Sequence, residues 1–437
     1  MNKKPVKPFI AKYFFTQDLL GGIILIISTI IALVWANSRF YELYHYVWHE
    51  VEMGFVIGDI NTVTSVGHWI NDGLMALFFF TIGLEIKREV IAGGLSTWKK
   101  ASMPLAAAIG GMVIPALFYV VVNANNPQNL HGWGVPMATD IAFALGLLAM
   151  LGKRVPLSLK IFLTALAVAD DLGAVLVIAF FYTQSIDFNE LMMGGFFLLV
   201  LAGANFLGVR RTVFYGLVGF LGVWMAFVFS GVHATIAGVL IAFTIPARSK
   251  ITESEYVSKL YRLTRIFDHI EPNRNNLLTK KQLKTITKID ELSEKAHTPL
   301  QKLEHALHPV STFLILPLFA LSNAGVHIEG NIMELILSPI SIGIIFGLTL
   351  GKPFGIAFAA KLIVWLKISK LPVGMNWSHV YGMGFLAGIG FTMSIFISEL
   401  AFETDTDKQI AKVGIFVASI LSAVIGMIIL SRSKIKT

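Results

Sequence analysis

Two aspartates stand side by side, Asp170 and Asp171 in "AVADDLGAV", within a run that is otherwise apolar from Ile161 to Phe181. An aspartate at the centre of a membrane helix costs about 2.5–3.5 kcal/mol on insertion scales, so the pair costs on the order of 5–7 kcal/mol without partners. Three more ionisable groups lie deep in apolar runs: Asp72 in "WINDGLMALFFF", Asp140 in "VPMATDIAFALG" and Lys352 in "GLTLGKPFGIAF". Intramembrane charges of this kind face one another or a cavity, so the five together define a candidate functional site. A purely structural reading, in which Lys352 and one carboxylate tie two helices together, leaves three aspartates without a purpose.

Adjacent helical residues point about 100° apart, so Asp170 and Asp171 must have different partners. One can pair with Lys352 while the other is available to a cation. Carboxylate oxygens suit hard cations, and burial beside a like charge makes protons compete for the same site. A site that holds a metal cation or protons, but not both, is the core of an exchanger. Other uses of the pair fit less well. An intramembrane aspartyl protease takes its two aspartates from separate helices and carries a GxGD motif that this chain lacks. A proton-coupled transporter of an organic anion needs a basic pocket, for which Lys352 and Lys361 are few. A passive channel needs no counter-charge and would not respond to a proton gradient.

The elements that must position these groups are membrane spans. Of 437 residues, 55% are hydrophobic and 14% charged, against about 45–50% and 25% in soluble domains, and the mean hydropathy is +0.71. Twelve apolar segments near the ~20 residues needed to cross a bilayer recur from 17–36 to 409–431, the fourth at 134–151 and the eleventh at 378–400. The first is too long for a signal-peptide core of ~7–15 residues and reads as a span. Lysine and arginine alternate with this segmentation: thirty lie in the termini and even-numbered connections, and only Arg39, Lys408 and Lys412 in the others. The basic side of a membrane protein is cytoplasmic, which places both termini there. The net charge of +8 is therefore a topology signal and calls for no nucleic acid. The absence of cysteine excludes disulfides and thiolate chemistry.

The expectation is an all-α integral membrane protein, one transporter domain over 1–437, with two polar excursions. Residues 40–66 contain "VEMGFVIGDINTVTSV", whose alternation predicts an external β-hairpin. Residues 248–308 carry twelve basic and eight acidic side chains and form a cytoplasmic loop, part helical. In it Glu271, Asn273, Asn275 and Leu278 echo a calcium-binding loop, but Asn276 and Gln282 replace the glycine and the bidentate glutamate. That leaves too little charge for a divalent ion, and a solvated loop is the better reading.

Two spans are interrupted, the fourth by Pro136, "ATD" and Gly146, the eleventh by "LAGIGFTMS". Glycine-interrupted spans in corresponding positions of two halves mark transporter sites, where half-helix ends present their dipoles to an ion. Asp140 can then compensate half-helix N-termini and Lys352 the C-termini. A second cluster sits at cytoplasmic span ends: Glu85, Arg88 and Glu89 in "GLEIKRE", and Glu304, His305 and His308 in "LEHALHP". Histidines among carboxylates suit a pH sensor; snorkelling charges at a solvated helix end fit the same spacing. His233, in "SGVHATIAG", is open to both readings.

The motifs "NDGLMALFFFTIGLEIKRE", "ATDIAFALG", "LAVADDLGAV", "SGVHATIAGV", "LPLFALSNAGV", "GKPFGI" and "AGIGFTMSIFIS", in this order along nearly the whole chain, resemble the bacterial NhaA sodium/proton antiporter family. The resemblance implies about twelve transmembrane helices in inverted repeats, with discontinuous fourth and eleventh spans that cross. It implies a homodimer joined partly by the hairpin, located in the bacterial inner membrane. The implied activity is pH-regulated, electrogenic export of Na+ or Li+ in exchange for protons by alternating access, without a cofactor and without enzyme chemistry. Asp171 matches the principal cation ligand, Asp170 its partner and the ion pair with Lys352, and Thr139 and Asp140 the crossing. Asp72 matches a carboxylate in the cation path, and Glu85, Arg88, Glu89, Glu304, His305 and His308 the pH-sensing region. The long 248–308 connection departs from the best-known members and lies between parts of that region.

Overall fold

The computed structural model describes residues 9–54, 56–57, 60–183, 186–271, 277–328 and 331–433. The calcium-like stretch at 272–276 and the lysines of the first eight residues lie outside these.

Helices dominate because a backbone in lipid must satisfy its own hydrogen bonds. In chain order they are α1 (Phe9–Ala36), α2 (Met75–Ile91), α3 (Trp98–Asn123), α4 (Ile141–Met150), α5 (Leu157–Phe181), α6 (Phe188–Phe206), α7 (Thr212–Ser230), α8 (Ala234–Thr244), α9 (Glu253–Asp268), α10 (Lys280–Ala296), α11 (Pro299–Asn323), α12 (Pro339–Trp365), α13 (Trp377–Ala387), α14 (Phe391–Ala401) and α15 (Asp405–Arg432). Among the described residues eight helices are long and apolar enough to cross a bilayer, and ten spans result if each of two bent pairs is one. The bent pairs are a 3-10 helix, Pro127–Met137, leading into α4 at 43°, and α13 leading into α14 at 47°. The fourth span therefore begins earlier than hydropathy places it, because Pro127–Met137 is a mixed sequence held by its neighbours. The protein is a multi-pass membrane protein.

Ends are set by local chemistry. Pro156 precedes α5 in extended conformation. The Thr298 hydroxyl accepts from Gln301 N ahead of Pro299 in α11, and Thr404 accepts from Asp407 N in α15, each satisfying a free helix N–H. Among the described residues five helical runs contain a π turn, including 66–91, which ends in α2; the one in α12, Gly347–Gly351, delivers the chain to Lys352. Helices α3 and α12 touch backbone to backbone where Gly110 meets Gly355, and a Cβ on either would collide with the other's carbonyl oxygen. Small residues permit this approach in lipid.

Two pairs of very short antiparallel strands lie at 52–65: β1 (Glu52–Met53) with β4 (Thr64–Ser65), and β2 (Val56–Ile57) with β3 (Ile60–Asn61). The described residues between 248 and 308 include α9, α10 and the start of α11, and α9 packs on α10. Arg210 pins this segment, donating to Arg248 O at 2.5 Å and His297 O at 2.9 Å. The loop face carries α9 and α10, and the hairpin face carries the strands.

Candidate functional site

The interrupted spans cross at their breaks. Asp140 N donates to Ile389 O at 2.7 Å, and the Ser394 hydroxyl donates to Val135 O at 2.8 Å. Four half-helix ends meet here with unsatisfied backbone groups in a water-poor interior, which costs free energy unless side chains supply partners. Asp140 serves both N-termini: Oδ1 accepts from Phe143 N of α4 at 2.9 Å, and Oδ2 accepts from Thr392 N and the Thr392 hydroxyl of α14 at 3.2 and 2.5 Å. Its negative charge also suits the positive ends of the two dipoles. Lys352 serves a C-terminal end, donating to Met137 O. Thr139 has one proton to give, and both Asp170 Oδ2 (2.7 Å) and Ala387 O, at the end of α13 (2.8 Å), lie within reach.

Lys352 also binds Asp170, Nζ to Oδ2 at 2.7 Å, with both side chains buried. Two opposite charges in close contact, with further hydrogen bonds to each, meet the condition under which a buried ion pair is tolerated. Asp171 differs. Both aspartates are 1% exposed and each keeps an Oδ1 without a hydrogen-bond partner among the described residues, but Asp170 Oδ2 is taken by Lys352 and Thr139 while Asp171 is the one that reaches open space. It lines a cavity of 1070 Å³ that runs to the loop face past Asp140, Thr392, Glu85, Arg88, Glu304 and His308. A buried carboxylate with spare acceptor capacity at the inner end of a cavity is arranged to receive a cation or a proton.

Most of the second cluster assembles along this cavity. Arg88 reaches Glu304 at 2.8 Å and Glu89 at 3.0 Å, and His305 and His308 line the same wall. His233 is not part of it; its Nε2 lies 2.9 Å from Tyr182 O, at the far end of α5. Asp72 is also remote from the cavity and meets His68 at 3.0 Å, one turn away on the same helical run. Thr392 and Ser394 were not singled out from the sequence. A hydroxyl two residues past "GIG" was the available signal, since a chain break in lipid needs polar partners on either side.

A second cavity of 340 Å³ opens toward the hairpin face, lined by His45, His49, His68, Asn71, Asn323 and Glu399 among others. Three helical runs line both cavities: Asn71 and Phe78 on the α2 run, Ser322 and Leu316 on α11, Glu399 and Met393 on α14. Six or seven residues separate each pair, about 9–10 Å at 1.5 Å per residue. The fully buried rings of Phe79, Phe319 and Phe396 fill that interval, with centroids of 5.5 Å for Phe79–Phe396 and 6.1 Å for Phe319–Phe396.

Crossed, interrupted helices that hold carboxylates and a lysine between two opposed cavities define an ion-coupled secondary transporter. A family model described as "Na+/H+ antiporter 1" matches residues 12–430. The chain belongs to this family, whose members are secondary transporters and not enzymes. It is 50% identical over 421 residues to Na(+)/H(+) antiporter NhaA 1 of Psychromonas ingrahamii, covering 96% of this chain and 95% of that one. It is 48% identical to Na(+)/H(+) antiporter NhaA of Oleidesulfovibrio alaskensis, over 96% and 93% of the two chains. Against the Helicobacter pylori NhaA (strain HPAG1) the figures are 47%, 96% and 94%.

Proposed function

We propose that the protein is a sodium/proton antiporter that expels Na+, and Li+, in exchange for protons. The observation that carries this reading is the contrast within the aspartate pair: Asp170 is held by Lys352 at 2.7 Å away from the cavity, whereas the neighbouring Asp171 lines the cavity and keeps acceptor capacity free. Asp171 takes the cation, with Asp170 and Thr139 completing its oxygen surroundings. Protons arriving at the same carboxylates displace the cation, so the two substrates exclude one another. Asp140 and Lys352 hold the half-helix ends while the occupant changes. Opposed cavities with a thin barrier support alternating access, in which a small shift of the broken helices closes one side and opens the other.

The loop face is cytoplasmic on this reading, with both termini on it, in a bacterial inner membrane. Twelve spans in two inverted repeats follow if α2 and α8, too short or too charged to count by length and composition, also cross. Glu85, Arg88, Glu89, Glu304, His305 and His308 gate activity by pH, and Asp72 lies on the route of the departing cation. His233 stands apart from this group and keeps only the structural contact described above. The strand pairs at 52–65 join two copies into a homodimer.

The test uses everted vesicles that carry an imposed proton gradient, followed by fluorescence from pH 6 to 9. Na+ and Li+ collapse the gradient, K+ does not, and Asp171→Asn abolishes the response. A properly folded protein that fails to respond to Na+ at any pH would remove the antiporter reading.

A further inference from the structure

Helix α10 sets two of its carboxylates apart from most of its lysines. Asp290, Ser293 and Glu294, with His297 just beyond its end, recur at i, i+3, i+4 and i+7 and line the mouth of the large cavity. Gln282, Thr285 and Leu292 are its buried residues. Lys281, Lys284, Lys288 and Lys295 are all exposed, and at 3.6 residues per turn they centre about 130° away from the two carboxylates. Asp290 and Glu294 thus face the cavity and four of the five lysines do not, while exposed Lys280 and Glu291 lie between, about 60° and 80° from the two carboxylates. Apart from Asp290 and Glu294, the cavity this helix borders is lined by four carboxylates, Glu85, Asp140, Asp171 and Glu304, against two permanent cations, Arg88 and Lys302. One of those cations meets a mouth carboxylate directly: Lys302 Nζ lies 3.0 Å from Glu294 Oε1. The segment is anchored by Arg210 and by Lys250 N donating to Lys295 O at 3.0 Å, so the carboxylates stay at the mouth. At the inner end of the same cavity is Asp171, buried and with an unpartnered oxygen.

We propose that α10 is an electrostatic rim: Asp290 and Glu294 gather monovalent cations at the cavity mouth, and Lys302 tempers that attraction by pairing with Glu294. These are steering residues and not ligands, acting through the potential that a low-dielectric cleft lined by one sign of charge focuses. The inference rests on the antiporter reading for its purpose but not for its test.

The chain has no cysteine, so single cysteines report the local potential. Thr164→Cys, within the cavity, and Ala306→Cys, on its exposed wall, are each reacted in purified protein with a cationic and an anionic methanethiosulfonate of similar size. At ~10 mM ionic strength the ratio of cationic to anionic rates falls about three- to tenfold in Asp290→Asn/Glu294→Gln and rises in Lys302→Gln; both effects shrink at ~0.15 M. A ratio unmoved by either variant, or moved equally at both ionic strengths, overturns the proposal. In everted vesicles the acidic double variant raises the half-maximal Na+ concentration at low salt about two- to threefold and leaves the maximal response intact. Failure of the wild type to respond to Na+ would count against antiport alone, because the labelling ratio reads the rim directly.

Discussion

Lys352 and Asp170 form a buried ion pair at 2.7 Å, and Asp171, next on the same helix, makes no equivalent contact among the described residues. Removing one partner leaves the other charge buried and alone. Lys352→Ala should therefore destabilise the protein by about 3–5 kcal/mol, read as a lower midpoint in thermal unfolding in detergent. Asp170→Asn combined with Lys352→Met recovers much of that loss, since an apolar replacement of the whole pair carries no stranded charge. A double variant no more stable than Lys352→Ala would mean that the lysine acts mainly on the Met137 carbonyl.

Asp171 is expected to contribute to cation binding and little to the fold. Asp171→Asn keeps the wild-type unfolding midpoint in choline chloride but loses the rise that NaCl produces. A ligand at one hundred times its dissociation constant adds about 2.7 kcal/mol, so the contrast is measurable by thermal shift. A variant still stabilised by Na+ would move the cation elsewhere.

Thr392 anchors the crossing through Asp140, its hydroxyl 2.5 Å from Oδ2. Thr392→Val removes that donor and costs about 1–3 kcal/mol. Asp140→Ala costs more, because both half-helix N-termini lose their acceptor. Thermal unfolding of the two variants side by side gives the ranking, and equal losses would argue against the shared-cap role.

Gly355 faces Gly110 at backbone contact between α3 and α12. Gly355→Val forces the helices apart, at the upper end of the about 1–3 kcal/mol typical of overpacking, and displaces Lys352 one turn away. Folded yield by size-exclusion fluorescence should collapse, while Gly195→Ala, whose Cβ meets open space, leaves it unchanged.

Arg88 lies between Glu89 and Glu304, at 3.0 and 2.8 Å. Arg88→Gln leaves the two carboxylates facing each other without their cation. If this cluster gates activity, the midpoint of the pH–activity profile in everted vesicles moves to higher pH by about half to one unit while the maximal response persists. An unmoved profile would confine the cluster to holding α2 against α11.

Much of this arrangement could be read from residue types alone. Two aspartates about 100° apart in an apolar run must have different neighbours, and one deep lysine can neutralise only one of them. Proline and glycine in the fourth and eleventh segments mark where helices stop. The partners across the breaks were beyond reach, since a hydrogen bond between Thr392 and Asp140, 252 residues apart, leaves no trace in local pattern. Met137 and Ala387 act through carbonyl oxygens, which every residue owns. The polar stretch from 248 to 308 could be recognised as lying outside the membrane, but its helical periodicity does not say which face of α10 borders a cavity. His68 does not stand out, because a lone histidine at a span end has many uses; its position one turn before Asp72 is the signal for the pairing.

The barrier between the two cavities is about 9–10 Å, far thinner than the ~30 Å hydrocarbon layer around the protein. Solution in the cavities carries the electrical ground of each side inward, so the membrane voltage falls mainly across the interval filled by Phe79, Phe319 and Phe396. One elementary charge crossing that interval exchanges about 2.3 kcal/mol per 100 mV with the field. An ion displaced by only two helical turns thereby experiences nearly the full voltage, and the energy stored across the bilayer is delivered over the short step that begins at Asp171.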